Sequence, residues 1–179
     1  MKTAKIGLLG FGNVGGGTYK ILTDNKQIIE KRTGISPEIV KILQRNKKKK
    51  RFASADPALL TEDPDDIIKN PEIDIVVEML GGIEPATSFM VQAMKAGKHV
   101  VSANKAAIAA NYGLLTETAR KSGVRFLFEA SVAGGIPVLG FSQRKCKDRK
   151  TGRHGSGDGQ VGIGCGRSFA FYRESLRTV

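Results

Sequence analysis

Apolar residues along this chain fall into short runs, and the runs are separated by stretches with helical spacing. An apolar run at 6–9 predicts a first buried strand. Further runs predict strands at 38–43, 73–78, 99–101 and 124–128. The run at 73–78 is rich in β-branched residues and predicts a strand that is buried on both faces.

Between these runs, apolar positions recur every three or four residues, which predicts helices. The first helix is predicted over 14–29, with Gly34 as its stop. Others are predicted at 64–68, from 85 toward Gly97, and at 111–121 before Gly123. Strands that alternate with helices in this way predict an α/β protein with a doubly wound parallel sheet.

A glycine-rich turn occupies residues 10–15, directly between the first strand and the first helix. Gly10 allows a tight turn, Gly12 lets a pyrophosphate approach the backbone, and Gly15 lets the helix pack close to the strand. The start of the following helix offers unpaired N–H groups and a partial positive charge to phosphates. This order predicts a Rossmann-like fold that binds a dinucleotide, whereas a purely structural glycine turn is the alternative.

The charge of the chain is unevenly distributed over its 179 residues, which carry a net charge of +12. Residues 1–139 hold 20 Lys and Arg against 14 Asp and Glu, and residues 140–179 hold 9 against 3. The second segment is glycine-rich and lacks a sustained period, so we expect a domain at 1–139 followed by a basic tail at 140–179 that is disordered or aberrant. The chain has no apolar stretch of about 18 residues, the length of a membrane span, and its two cysteines form no disulfide framework, which predicts a cytoplasmic location.

NAD-binding folds use a carboxylate at the end of the second strand to bind the ribose 2′-hydroxyl. The end of the second predicted strand carries no carboxylate in this chain. Arg45 and the lysines after it could instead face a 2′-phosphate, which favours NADP over NAD. The alternative is that Arg45 belongs to the solvated basic run 47–51, as such runs usually do.

Four stretches together resemble homoserine dehydrogenases. They are residues 7–15, residues 74–78 with 81–86, residues 97–105 and residues 128–137. The similarity spans about residues 3–139. It implies an oxidoreductase that uses NADP or NAD to interconvert L-homoserine and L-aspartate 4-semialdehyde in threonine, methionine and isoleucine biosynthesis.

The resemblance also implies site residues. Phe11, Asn13 and Val14 belong to the cofactor turn, and Lys105 reaches the cofactor and substrate region. Lys105 is then the candidate catalytic group for the hydroxyl proton, although a contact with a phosphate or carboxylate explains it equally well.

A monovalent cation site, for Na+, is implied by the family's Glu-Ala-Ser-Val-Ala-Gly-Gly-Ile stretch. It maps onto the Glu129 side chain and the carbonyl oxygens of Val132, Gly134 and Ile136. A carboxylate with carbonyl oxygens suits a hard cation, while such loops are also often only structural.

Residues 140–179 do not resemble the family's substrate and dimerisation domain, and the family's acid–base pair and dimer contacts have no counterpart there. We therefore expect a truncated family member that binds cofactor but oxidises homoserine poorly. The alternative function is a nucleotide-fold binding module whose basic tail holds nucleic acid or another polyanion, although the tail carries no nucleic-acid motif.

Overall fold

Strands and helices alternate along the chain in the computed structural model, which describes residues 2–45 and 54–128. The strands in these ranges are β1 (Lys2–Leu9), β2 (Ile35–Leu43), β3 (Leu60–Thr61), β4 (Ile75–Glu78), β5 (His99–Ser102) and β6 (Phe126–Leu127). The helices are α1 (Asn13–Asp24), α2 (Lys26–Thr33), α3 (Asp65–Ile68), α4 (Ala86–Lys95) and α5 (Lys105–Ser122). A 3-10 turn, Pro57–Leu59, precedes β3.

All of these strands are parallel and form one sheet in the order β3-β2-β1-β4-β5-β6. The chain first moves outward from β1 to β3, then returns to β4 beside β1 and moves outward the other way. This is the strand order of dinucleotide-binding folds, with a switch of direction between β1 and β4. The predicted doubly wound, Rossmann-like parallel sheet is confirmed.

The sheet has an apolar core on each face. Leu8 belongs to one core together with Ile42, against which α1 packs its Tyr19. Leu9 belongs to the other core, together with Met90 of α4 and residues of α3 and α5. Neighbouring residues of a strand point to opposite faces, so β1 is buried from both sides and forms the centre of the fold.

The prediction of one helix over 14–29 is wrong, because α1 ends at Asp24 and α2 begins at Lys26. Asn25 between them leaves the helical region, and its side-chain amide donates to the carbonyl oxygen of Ile21. Three of the apolar positions that suggested one buried face are exposed: Val14 at 59%, Ile21 at 62% and Ile28 at 52%. Gly34 does end α2, in the left-handed conformation.

Other element boundaries also differ from the predictions, and those of β2 and α5 are examples. The strand β2 starts at Ile35 and includes a buried Pro37. Within the described residues, β3 pairs only with the far end of β2, so a residue without an N–H is tolerated at Pro37. Helix α5 starts at Lys105 rather than near Asn111, where the backbone kinks and leaves the helical region.

The strand β4 is not buried on both faces as predicted. Val76 and Glu78 are buried on one face, whereas Ile75 and Val77 on the other face are half-buried. None of the described helices combines the length and apolar character that crossing a membrane requires. The basic run 47–51, the predicted boundary at 139 and the whole tail lie outside the described residues.

Candidate cofactor-binding site

The glycine turn lies at the carboxyl edge of the sheet, where β1 meets β4. Because all strands are parallel, the ends of β2, β4 and β5 lie at this same edge. Ligands of open α/β sheets bind at this edge, beside the point where the strand order reverses. The fold therefore places the predicted turn where a dinucleotide would bind.

Two of the three glycines are required by the backbone geometry of the turn. Gly10 has φ of +108°, and a Cβ there would lie 2.9 Å from the carbonyl oxygen of Met79. A Cβ on Gly15 would overlap the carbonyl oxygen of Gly10. The turn thus packs tightly on the end of β4, and the first turn of α1 packs on Gly10.

Gly12 is different, because a Cβ at this position would meet no atom within 4 Å. It immediately precedes α1, and no side chain caps that helix within the described residues. The first N–H groups of a helix have no partner inside the helix and bind anions readily. Open space above Gly12 beside a free helix start fits a pyrophosphate.

The other residues of the turn have distinct positions. Phe11 is 4% exposed and its ring packs edge-on against Tyr19, with centroids 5.7 Å apart, so its side chain anchors the turn in the core. Asn13 and Val14 are exposed at the start of α1. The Phe11 side chain is therefore buried in the core, whereas the side chains of Asn13 and Val14 are exposed.

Arg45 lies at the same edge, two residues after β2 ends. Its neighbour Gln44 is buried, and the Gln44 N–H donates to the carbonyl oxygen of Thr61 at 2.8 Å. Arg45 itself is exposed. The fold therefore presents a guanidinium at the strand end where NAD-binding folds carry an acidic residue.

Lys105 is the first residue of α5 and is exposed. It follows the end of β5, which is separated from β1 by β4 alone. Adjacent strands lie about 4.8 Å apart, so β5 is roughly 10 Å from β1. The structure thus places Lys105 at the same edge as the glycine turn, on the other side of the switch point.

A buried polar network joins the ends of β4 and β5, and the sequence did not predict it. Glu78, the last residue of β4, is fully buried. One carboxylate oxygen accepts the Leu80 N–H at 2.7 Å and the Asn104 side-chain amide at 3.3 Å. The other accepts the Ser102 hydroxyl at 2.6 Å, and the Asn104 amide also donates to the Gly82 carbonyl oxygen at 2.8 Å.

Asn104 connects this network to the start of α5. Its side-chain oxygen accepts the Ala107 N–H at 3.1 Å and so caps the helix. Its backbone N–H donates to the Ser102 hydroxyl oxygen at 3.1 Å, which directs the hydroxyl proton toward Glu78. Burial raises the pKa of the Glu78 carboxyl, while its hydrogen bonds to Ser102, Leu80 and Asn104 oppose that rise.

A weak signal for this network is present in the sequence. Glu78 ends an otherwise apolar run, and Ser102 and Asn104 follow the next strand. Strand ends of a parallel sheet meet at one edge, so three polar residues at neighbouring strand ends are candidates for contact. The pairing itself depends on strand order, because Glu78 and Ser102 are 24 positions apart.

The predicted cation ligands Glu129, Val132, Gly134 and Ile136 lie outside the described residues. Within 2–45 and 54–128, no three His, Cys, Asp or Glu side chains come together in a way that could hold a metal ion.

Comparisons with known proteins agree with this geometry. A family described as "Homoserine dehydrogenase, NAD binding domain" matches residues 10–129. The homoserine dehydrogenase of Pseudomonas aeruginosa is 45% identical over 139 residues, which are 78% of this chain and 32% of that protein. The Bacillus subtilis homoserine dehydrogenase is 40% identical over 139 residues and is likewise covered to 32%.

A crystal structure of a homoserine dehydrogenase from Thiobacillus denitrificans superposes with a TM-score of 0.74 at 42% identity, over 83% of this chain and 34% of that one. The chain therefore spans about a third of the length of the relatives that it matches. The strand order and the glycine turn agree with the family match over residues 10–129. The chain therefore belongs to the homoserine dehydrogenase family and contains that family's NAD(P)-binding domain.

Proposed function

We propose that this chain binds NADP or NAD for the interconversion of L-homoserine and L-aspartate 4-semialdehyde. The observation that carries the proposal is the turn of Gly10, Gly12 and Gly15 at the switch point, with open space above Gly12. Hydride transfer requires the nicotinamide to be held at a defined edge, and the carboxyl edge of this sheet supplies one. Family membership supports the choice of substrate.

Cofactor binding is tested by a fluorescence titration of the chain with NADPH and with NADH. Gly12→Val fills the space that the pyrophosphate needs and is expected to abolish binding. Gly17→Val is the matched control, because a Cβ at Gly17 in α1 also meets no atom within 4 Å. Unchanged binding by Gly12→Val, or equal loss in both variants, would contradict the proposed role of the turn.

We propose NADP rather than NAD as the preferred cofactor. The strand end that carries a carboxylate in NAD-binding folds holds the buried Gln44 and the exposed Arg45 instead. A guanidinium forms paired hydrogen bonds with a phosphate. Arg45 is therefore proposed as the partner of the 2′-phosphate.

Lys105 is proposed to act at the substrate side of the nicotinamide. Its ammonium group stands at the start of α5, exposed and at the same edge as the turn. Two roles fit this position: accepting the hydroxyl proton, or binding an anionic group of the cofactor or substrate. The first role requires the amine to titrate, whereas the second requires only its charge.

The family resemblance also supports a monovalent cation, Na+, at Glu129, Val132, Gly134 and Ile136. Comparing NADPH binding and homoserine oxidation in Na+ with the same measurements in choline at equal ionic strength tests this proposal. We also propose a cytoplasmic location for this chain. Steady-state assays of homoserine oxidation, together with light scattering for mass, test the activity and the oligomeric state.

A further inference from the structure

The Glu78 carboxylate has no role in the function proposed above, although it lies at the same edge as the cofactor site. It is fully buried, and no described cation pairs with it. Its hydrogen bonds come from Leu80, Ser102 and Asn104. A buried carboxylate held only by neutral donors is costly, so its presence here calls for an explanation.

We propose that Glu78 is a positioning residue for the nicotinamide half of the bound cofactor. The inference rests on the proposed function. Dinucleotide folds consist of two halves, and the half built from β1 and β2 carries the adenosine ribose contact. Glu78, Ser102 and Asn104 lie in the other half, at the ends of β4 and β5.

The network ends on two groups that face the cofactor edge. Through the Asn104 amide it holds the Gly82 carbonyl oxygen, which belongs to the exposed loop after β4. Through the same residue it fixes the first turn of α5, where Lys105 is the next residue along the chain. Glu78 thus sets the positions of the β4 loop and of Lys105 relative to each other.

Packing alone does not require a carboxylate at position 78. The residue points to the same side of β4 as Val76, which lies in an apolar core with Val100 and Met90. An apolar side chain of similar volume would fill that space, and such replacements of buried charges are often neutral or stabilising. Local features that conflict with core packing are expected at functional sites.

Three variants separate positioning from folding. Glu78→Gln keeps one oxygen to accept from Leu80 and Asn104. Glu78→Leu removes every acceptor while keeping the volume. Asn104→Ser keeps a helix cap for α5 but removes the amide that binds Glu78 and the Gly82 carbonyl.

The experiment measures the binding of two probes. NADPH carries a fluorescent nicotinamide, which reports on the nicotinamide half of the site, whereas 2′,5′-ADP is the adenosine half alone. If the unmodified chain prefers NAD(H), NADH and ADP replace them. Glu78→Leu and Asn104→Ser are expected to weaken NADPH binding by about tenfold, the effect of roughly one charged hydrogen bond. Binding of 2′,5′-ADP should not change, and Glu78→Gln should bind NADPH almost as the unmodified chain does.

Equal weakening of both probes would overturn the inference, because it indicates a purely structural role for Glu78. Unchanged NADPH binding in both Glu78→Leu and Asn104→Ser would overturn it as well. If Glu78→Leu binds neither probe because it does not fold, Asn104→Ser decides between these outcomes. An unmodified chain that binds neither probe would instead overturn the proposed function, and this inference with it.

Discussion

A methyl group on Gly15 would overlap the carbonyl oxygen of Gly10, so the two glycines are in direct backbone contact across the turn. The contact joins the end of β1 to the first turn of α1. It belongs to the packing of the fold itself, whereas the open space above Gly12 is available to a ligand. The three glycines of one motif therefore serve two separate purposes.

Gly15→Ala is expected to destabilise the fold by about 1–3 kcal/mol, because the methyl group forces a shift of packed backbone. Gly17→Ala is the control in the same helix. Its Cβ enters open space, and alanine in place of a helical glycine stabilises by about 0.5–1 kcal/mol. Urea unfolding of both variants measures the difference, and equal stabilities would contradict the packing argument.

Arg45→Ala is expected to weaken NADPH binding by about tenfold and to leave NADH binding unchanged, because only NADPH carries the 2′-phosphate. Arg32→Ala is the control, since Arg32 is exposed near the end of α2, before β2 begins. Titrations with both cofactors measure the selectivity. A preference for NADH that Arg45→Ala does not alter would show that Arg45 is only part of the solvated loop.

Glu78→Gln is expected to change how stability depends on pH. Burial raises the pKa of Glu78 in the folded chain above its unfolded value. At pH values between the unfolded and the folded pKa, the folded chain binds the proton more tightly than the unfolded chain does. The contribution of Glu78 to the free energy of unfolding is therefore greatest below the unfolded pKa and falls as pH rises through the folded pKa. The stability of the unmodified chain minus that of Glu78→Gln should therefore fall as pH rises from the unfolded pKa to the folded one. The total fall is about 1.4 kcal/mol for each pH unit that separates these two pKa values.

Unfolding in urea at a series of pH values from about 4 to 8 measures this difference. A difference that rises with pH would mean that the hydrogen bonds from Ser102, Leu80 and Asn104 outweigh burial. That result would leave Glu78 ionised at lower pH than expected.

Lys98→Met is expected to destabilise the fold by about 1–3 kcal/mol. The buried Lys98 ammonium donates to the carbonyl oxygens of Asn70 at 2.5 Å and Ile73 at 2.9 Å, and methionine leaves both acceptors without this donor. Lys95→Met on the exposed side of α4 is the control and should change stability by less than about 0.5 kcal/mol. Thermal or urea unfolding that ranks the two variants equally would contradict this role of Lys98.

Lys105 variants distinguish its two proposed roles. Lys105→Arg keeps the positive charge but does not deprotonate, so it preserves cofactor affinity and loses proton transfer. Lys105→Met loses both properties. If Lys105→Arg restores the NADPH affinity that Lys105→Met lacks, Lys105 binds an anion of the cofactor. The rate of homoserine oxidation by Lys105→Arg then reports on proton transfer separately, because this variant keeps the charge but cannot accept the hydroxyl proton.

The central part of the fold was predictable because its signals are local. The apolar run at 6–9, the glycine turn and the runs at 73–78 and 99–101 each specify an element within a few residues. The break at Asn25 was not predictable from periodicity, since apolar residues continue on both sides of it. The two-residue strand β3 carries too short a pattern to detect and forms by pairing with the end of β2.

In the candidate site, too, residues of a local motif were predictable, whereas residues whose partners are distant in sequence were not. The roles of Gly10 and Gly15 in the turn follow from the motif, and the structure agrees with both. Glu78 was missed because it ends an otherwise apolar run, and its partners Ser102 and Asn104 lie at the end of another strand. Lys105 was identified only through the family resemblance, because its place at the start of α5 depends on Asn104 as the cap.

The side-chain amide of Asn104 faces acceptors with its nitrogen and a donor with its oxygen. The nitrogen meets Glu78 and the Gly82 carbonyl, and the oxygen meets the Ala107 N–H. Rotating the amide by half a turn would place oxygen against oxygen and N–H against N–H, so only one orientation is compatible with its surroundings. The junction of β5 and α5 is therefore set before any cofactor arrives, and binding there does not have to select among rotamers of this residue.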